Sequence, residues 1–317
     1  MGLYTAHVLA GIEAQSGKPL RESFDLIAGT SVGGIIGLGA ALGVPMSQVA
    51  SLFETNGAQI FSDRPAPRNL GQVAVDTLRF LYGSKYENKA LLHAVTSICG
   101  EDTMMEDLSW KFIAPAVNLT LGKPHTFRTP HLDKHSSSRG IRAADVALAT
   151  SAAPTLLPIV RIGSECFSDG GIYANSPDLI AMHEAESLLG INASDIHILS
   201  IGTTTSTCEF PEPKSLSFGV FEWMEDRRML RMALATQQQS AHRILSQRLR
   251  GQYVRIDADQ SAHASRLGLD VANVEARNIL KELSEVTLST GFPTAKVQRF
   301  LDYKVEPSTF KAARSIA

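Results

Sequence analysis

The order of apolar and polar positions along the chain predicts short buried strands separated by helices. Continuous apolar runs at 24–28, 112–119 and 196–201 are typical of strands that are buried on both faces. Small apolar residues at 34–42 favour a helix that packs closely against a sheet. Because strands alternate with helices, we expect an α/β fold whose central sheet is mainly parallel.

Shorter elements follow from the same patterns. Residues 4–15 and 143–150 are predicted to be helical, and 126–128 to be a strand. Residues 159–162 and 165–168 are separated by two turn-forming residues, so they are predicted to form a hairpin.

The remaining segments are predicted to be mostly helical. Between Gly43 and Asp107 the helical pattern is broken by a Pro-rich stretch, 63–67, which is a surface loop and a candidate lid. Across 218–250, apolar residues recur at intervals of four and seven, which predicts a long helix with one face on the core. Arginines on the other face either are solvated or bind phosphate. The recurring residues are Leu230, Leu234, Ala241, Leu245 and Leu249.

The 317 residues are expected to form a single domain. The chain has no internal repeat, no low-complexity tract and no linker-like change in composition. Within one domain of 1–317, we place the core at about 2–205 and a mostly helical C-terminal part at about 209–317.

Composition excludes several classes of protein. Apolar residues make up 44% of the chain and charged residues 20%, which is typical of globular rather than disordered proteins. The net charge of −2 gives no overall attraction to nucleic acid, so no nucleic-acid polymer is expected as a partner. The three cysteines lack metal-ligand spacing, and neither a metal nor a cofactor is predicted. Because three cysteines form no disulfide framework, a reduced cytoplasm is expected. No signal-peptide pattern is seen, and the glycine-rich stretch 24–44 is a poor membrane span.

The candidate nucleophile is Ser31. The segment Gly29-Thr30-Ser31-Val32-Gly33 matches G-x-S-x-G at a predicted strand-to-helix junction, which is the context of a nucleophile elbow. Strained backbone in such a turn exposes the hydroxyl, and glycines two residues to either side avoid collisions with neighbouring backbone. At a helix start, the Val32 N–H and the positive end of the dipole would face the oxyanion that forms on attack.

The candidate base is Asp169. It ends a short predicted strand and is followed by Gly170 and Gly171, and such a turn can hold a carboxylate at a sheet edge. An aspartate with an ordinary pKa of about 3.9 is a weak base for a hydroxyl. Catalysis by Asp169 therefore requires a partly desolvated site and a proton transfer concerted with the attack.

Together the two motifs resemble those of the patatin-like phospholipases. Residues 29–34, which add Gly34 to the elbow, and 169–177 reproduce that family's nucleophile elbow and its D-G-[GA]-x-x-x-N-x-P segment, in the same order. Residues 149–154 and 199–203 are also similar, and the resemblance covers about 2–205. It implies a three-layer α/β/α fold and a Ser-Asp dyad without histidine. It further implies an acyl-enzyme, a membrane glycerophospholipid substrate, and a cytoplasmic protein that contacts the membrane peripherally when active.

The resemblance also implies an oxyanion loop of pattern G-G-G-x-R-G near the start of the domain. Of that loop only Gly2 falls within the sequence, with Met1 where arginine is expected. Gly2 and Val32 are thus the expected oxyanion donors. Either the sequence starts after the loop, or the other donors are lacking. In the second case the protein would be nearly inactive, since one lost donor typically costs about 2.7–4 kcal/mol in transition-state stabilisation.

A narrower resemblance concerns regulation. Residues 127–131 and 155–158 are similar to segments of the phospholipase effectors of bacterial cyclic-oligonucleotide anti-phage systems. This implies a cyclic dinucleotide as activator and the host inner membrane as target. No sequence motif identifies a nucleotide pocket.

Two other functions fit the same residues. An α/β-hydrolase triad would use G-x-S-x-G with Asp and then His, and the histidines that follow Asp169 are His183, His197, His242 and His263. A catalytically silent binding or signalling module would keep the fold but lack the oxyanion loop. No pattern indicates an oligomeric state.

Overall fold

The computed structural model describes residues 1–61, 83–132, 138–204, 217–224, 228–263, 266–268, 270–291 and 295–305. Its α-helices are α1 (Gly2–Ser16), α2 (Val32–Leu42), α3 (Met46–Ile60), α4 (Lys89–Cys99), α5 (Ala143–Thr150), α6 (Gly171–Ala174), α7 (Asp178–His183), α8 (Val220–Met224), α9 (Arg228–Leu249), α10 (Val274–Gly291) and α11 (Ala295–Asp302). Its strands are β1 (Leu26–Ala28), β2 (Lys111–Asn118), β3 (Lys123–Arg128), β4 (Val160–Ile162), β5 (Glu165–Asp169), β6 (Ile198–Ile201) and β7 (Tyr253–Ile256).

The longest strand, β2, organises the main sheet. Strand β3 covers one edge of β2 from Ile113 to Asn118. The opposite edge is shared by two strands, because β1 pairs parallel up to Ile113 and β5 pairs antiparallel from Ala116 onward. Strands β1 and β5 therefore run toward each other along one edge and end three residues apart, roughly 10 Å along the strand.

The expectation of a mainly parallel sheet was wrong, and the sheet is mixed. Among the described strands, β1 with β2 and β6 with β7 are parallel, whereas the other three pairings are antiparallel. Two of those antiparallel pairs, β2 with β3 and β4 with β5, are hairpins with short turns. Such a short connection can only join antiparallel neighbours, whereas a parallel pair needs a long crossover.

Helices cover the sheet, as the three-layer α/β/α class requires. Helices α2 and α5 pack on β2, while α6 also contacts β2 and α7 contacts β1. Small residues allow the close packing of α2, since a Cβ at Gly37 would lie 3.2 Å from Phe112. Helix α1 packs between α3 and α10 and buries Tyr4 and Ile12 completely. The α/β/α fold is thereby confirmed.

The C-terminal part is mostly helical among the described residues, as expected. Helix α9 buries Ala241, Leu245 and Leu249, and the two leucines belong to a second apolar cluster with Met182 and Ile196. The predicted core-packing face is therefore present in the second half of that helix.

No helix in the described part of the chain has the length and apolar character to span a bilayer. The assignment of the whole chain to a single domain remains a prediction, and the proposed lid at 63–67 lies outside the described residues.

Candidate active site

The register of the sheet brings Ser31 and Asp169 together. Ser31 follows the end of β1, Asp169 ends β5, and both strand ends face the same short stretch of β2. The Ser31 hydroxyl lies close enough to the Asp169 carboxylate to lower the pKa of Asp169. Residues that are 138 positions apart in sequence thus lie side by side, because two strands approach each other head to head.

The backbone of Ser31 has the strain expected of a nucleophile elbow. Its φ is 55° and its ψ is −129°, a conformation that a residue with a side chain rarely adopts. Such strain costs on the order of 1–3 kcal/mol and persists only where the surroundings enforce it. Gly29 is part of that enforcement, since a Cβ there would lie 2.1 Å from the Gly33 carbonyl oxygen. The turn can close only with glycine at position 29.

The steric reason predicted for Gly33 was wrong. A Cβ at Gly33 would meet nothing within 4 Å, because this residue faces open space in a cavity rather than neighbouring backbone. The second constrained glycine is instead Gly34, where a Cβ would lie 2.7 Å from Thr150 Cγ2. The Thr150 hydroxyl accepts the Ser31 N–H at 3.1 Å and donates to the Pro115 carbonyl at 2.6 Å. Gly34 therefore makes room for the side chain that holds the elbow on β2.

Burial raises the pKa of Asp169 to about 6, although the hydrogen bonds from Ser31 and from the Gly171 N–H act in the opposite direction. The side chain is 5% exposed, and the Gly171 N–H donates to Oδ1 at 2.7 Å. A carboxylate with this pKa is a stronger base than an aspartate in water and is ionised at neutral pH. The environment thus supplies the desolvation that the sequence analysis required.

Glycine is needed at position 170 and relieves crowding at position 171. A Cβ at Gly170 would lie 2.2 Å from the Pro115 carbonyl oxygen of β2, and one at Gly171 would lie 3.0 Å from Asp169 Oδ1. The turn is tied to the elbow by Thr30, whose hydroxyl donates to the Ala174 carbonyl at 2.7 Å. Thr30 therefore connects the turn that carries Ser31 directly to the segment that follows Asp169.

Both expected oxyanion donors lie at the same cavity wall. Val32 begins α2 and Gly2 begins α1, so each N–H belongs to the first turn of a helix, where no intrahelical acceptor exists. The two residues are in close contact, since a Cβ at Gly2 would lie 2.3 Å from Val32 Cγ2. Two helix N-termini thus point their positive ends at the region beside Ser31.

An apolar cavity of about 380 Å³ contains the Ser31 and Asp169 side chains. From Ser31 it extends between α2 and α3 to Phe53 and Ile60. On the other side its wall includes Leu230 and Leu234 of α9. The volume falls in the range of small-molecule sites, and its lining suits a hydrocarbon chain.

Comparison with known proteins identifies relatives of this chain. A family model described as patatin-like phospholipase matches residues 1–182. A cGAMP-activated phospholipase of Pseudomonas aeruginosa is 34% identical over 284 residues, covering 89% of this chain and 82% of the relative. A cGAMP-activated phospholipase of Vibrio cholerae is 32% identical over 303 residues, covering 88% and 84%. A cUMP-AMP-activated phospholipase of Escherichia coli is 28% identical over 224 residues, covering 67% and 63%.

The chain belongs to the patatin-like phospholipase family. The predicted class of enzyme, a carboxylic ester hydrolase of the phospholipase type, is thereby confirmed. The elbow at 29–34 and the segment 169–177 both lie within the matched residues.

The positions of the histidines argue against the triad alternative within this patatin-like fold. None of the histidines in the described ranges lines the cavity that holds Ser31 and Asp169. His183, His197 and His242 are exposed. The fourth candidate, His263, is bonded to Arg266. The acidic group that faces the Ser31 hydroxyl is Asp169.

The segment 127–131, which carried the narrower resemblance, has a structural partner. Arg128 Nε donates to both oxygens of Glu184 at 2.8 and 2.9 Å, and His131 Nε2 lies 3.1 Å from Glu184 Oε1. Glu184 is fully buried. Burial alone would raise the pKa of Glu184, but the His131 hydrogen bond and the Arg128 charge outweigh burial and lower the pKa. These side chains anchor the end of α7 to the end of β3.

Sequence reasoning missed the roles of Thr30 and Thr150. Thr30 occupies the variable position before the nucleophile, and Thr150 lies in the segment 149–154 that was noted only as a resemblance. The Thr150 hydroxyl, 119 positions from Ser31 in sequence, carries no local signal of its role. Its function depends on the close approach of α2 and α5, which only the tertiary structure reveals.

Proposed function

We propose that this protein hydrolyses acyl esters of membrane glycerophospholipids, with Ser31 as nucleophile and Asp169 as the base. The observation that carries the proposal is the placement of the Ser31 hydroxyl beside the buried Asp169 carboxylate in one apolar cavity. An acyl chain can occupy the arm of the cavity between α2 and α3 while its ester carbonyl lies beside Ser31.

The reaction proceeds in two steps. Asp169 takes the proton of the Ser31 hydroxyl as Oγ attacks the ester carbonyl, and the Val32 and Gly2 N–H groups stabilise the oxyanion. The tetrahedral intermediate collapses, the lysophospholipid oxygen leaves with the proton from Asp169, and the acyl group stays on Ser31. Asp169 then deprotonates a water molecule that attacks the acyl-enzyme, and the fatty acid leaves as Ser31 regains its proton.

We further propose that a cyclic dinucleotide activates the protein in anti-phage defence and that it acts from the cytoplasm by peripheral contact with the membrane. The support is similarity to relatives named cGAMP-activated and cUMP-AMP-activated phospholipases. Two exposed apolar side chains on helices that line the cavity are candidates for lipid contact, since Ile172 is 45% and Met229 is 56% exposed.

The test measures fatty-acid release from phosphatidylethanolamine–phosphatidylglycerol vesicles, with and without cGAMP or cUMP-AMP. We expect release that increases with one nucleotide and disappears in Ser31→Ala and Asp169→Ala. Each of His183→Ala, His197→Ala, His242→Ala and His263→Ala should retain it. Loss in one histidine variant together with retention in Asp169→Ala would support the triad instead, and no release under any condition would support the silent module.

A further inference from the structure

The segment after Asp169 contains a break between two helices. Helix α6 ends at Ala174 and α7 begins at Asp178. In a continuous helix, the residue at position 177 would donate its N–H to the Tyr173 carbonyl. Pro177 has no N–H, so the carbonyl of Tyr173 needs a donor from outside the segment.

Gln237 of α9 supplies that donor. Its Nε2 donates to the Tyr173 carbonyl at 2.8 Å, while its Oε1 accepts the Asn175 N–H at 2.8 Å. Only one orientation of the amide satisfies both bonds, since one partner is an acceptor and the other a donor. A second amide adds to the contact, because Asn175 Nδ2 donates to Gln238 Oε1 at 3.3 Å.

The segment is thus held from two sides. On the elbow side, Thr30 donates to the Ala174 carbonyl, which is the next carbonyl that the helix break leaves without its usual donor. On the opposite side, the Gln237 amide holds the residues immediately before and after Ala174. The spacing between the elbow and the Asp169 turn therefore depends on both contacts.

We propose that Gln237 is a positioning residue, which holds the Asp169 turn at hydrogen-bonding distance from Ser31. The inference rests on the proposed function, because it assigns Asp169 the role of base. Helix α9 lies beyond residues 1–182, which the family model matches, so an element outside that range contributes to the geometry of the dyad. The same helix lines the cavity through Leu230 and Leu234, so one helix borders both the cavity and the segment that follows Asp169.

The sequence Gln237-Gln238-Gln239 offers a matched control. Gln239 is exposed, whereas Gln237 is half-buried against the Asp169 turn. The substitution Gln237→Leu removes both amide bonds with little change in volume, and Gln239→Leu makes the same chemical change on the solvent side. Thermal unfolding of both variants measures any loss of folded protein.

The experiment compares kcat and KM of the wild type, Ser31→Ala, Gln237→Leu and Gln239→Leu on the vesicles described above. We expect Gln237→Leu to lower kcat about tenfold or more with KM within about twofold, because a small displacement of a catalytic group has this effect. Gln239→Leu should match the wild type. Equal kcat in Gln237→Leu and Gln239→Leu would overturn the inference, while full activity in Ser31→Ala would overturn the proposed function itself.

A second variant, Gln237→Glu, keeps the test decisive if Gln237→Leu folds poorly. A protonated carboxyl can donate to the Tyr173 carbonyl and accept from the Asn175 N–H as the amide does, whereas a carboxylate cannot donate. The ratio of Gln237→Glu to wild-type kcat should therefore rise as pH falls from 8 to 5. A ratio that stays constant over this range would contradict the positioning role.

Discussion

Replacing Asp169 with asparagine should abolish catalysis and stabilise the fold at the same time. The carboxylate is 5% exposed, and its pKa is raised from 3.8 to about 6, chiefly by burial. This rise in pKa corresponds to about 3 kcal/mol of free energy that disfavours the ionised form of Asp169 in the folded state. An uncharged isostere avoids this cost.

The sign of the effect depends on pH. Between pH 3.8 and about 6, the folded protein binds the Asp169 proton more tightly than the unfolded chain, so wild-type stability falls as pH rises through this window. Asparagine does not titrate. The free energy of unfolding of Asp169→Asn should therefore exceed that of the wild type by up to about 3 kcal/mol at pH 8, and by close to zero at pH 4.

Thermal unfolding at both pH values tests this reasoning. At pH 8 we expect a Tm several degrees higher for Asp169→Asn than for the wild type, and similar Tm values at pH 4. The control is Asp102→Asn, which removes an exposed carboxylate. A lower Tm for Asp169→Asn at pH 8, or a difference in Tm that does not change with pH, would refute the claim that burial disfavours the ionised form of Asp169.

The remaining predictions concern the elbow, its support and the buried ion pair. Gly29→Ala should lose nearly all activity and much of its stability, because the added Cβ would collide with backbone. Gly33→Ala should retain the wild-type Tm, because its Cβ would meet nothing. Circular dichroism and ester hydrolysis of the two variants test this prediction. Thr150→Val should lower the free energy of unfolding by about 1–3 kcal/mol, since it leaves the Ser31 N–H and the Pro115 carbonyl unpaired. The control, Thr55→Val on the exposed face of α3, should change the free energy of unfolding little, and urea unfolding measures both. Activity should rise with pH through about 6 as Asp169 ionises, and a pH–rate profile that is flat from 5 to 8 would contradict its role as base. Glu184→Leu should destabilise the protein by about 3–5 kcal/mol, because it leaves the half-buried Arg128 side chain without its carboxylate partner. Unfolding in guanidinium chloride measures this loss of stability.

Local patterns predicted most elements within a few residues. The helix Ala143–Thr150 was predicted with its observed bounds, and the β4–β5 hairpin and the strand before Ser31 were also found. These segments have one strong signal each, such as continuous apolar character or a turn at glycine. The direction of β5 relative to β2 was not predictable in this way, since an apolar run has the same appearance whether its neighbour is parallel or antiparallel.

The candidate site followed from two motifs, but its support did not. Ser31 and Asp169 were identified because their chemistry requires unusual local sequences with glycines at fixed positions. The contribution of Gln237 carries no such signal, since a glutamine in an amphipathic helix is ordinary. What the sequence does contain is the reason that a donor is needed: Pro177 follows one helical turn and leaves the Tyr173 carbonyl without its N–H partner.

The central claim is that Asp169 activates Ser31, and covalent labelling tests it most directly. Mass spectrometry after incubation with a fluorophosphonate should find one adduct, on Ser31, which forms with a rate that follows an ionisation near pH 6. The adduct should be absent in Ser31→Ala and form far more slowly in Asp169→Asn. An adduct on another residue, or equal labelling rates in Asp169→Asn and the wild type, would contradict the account.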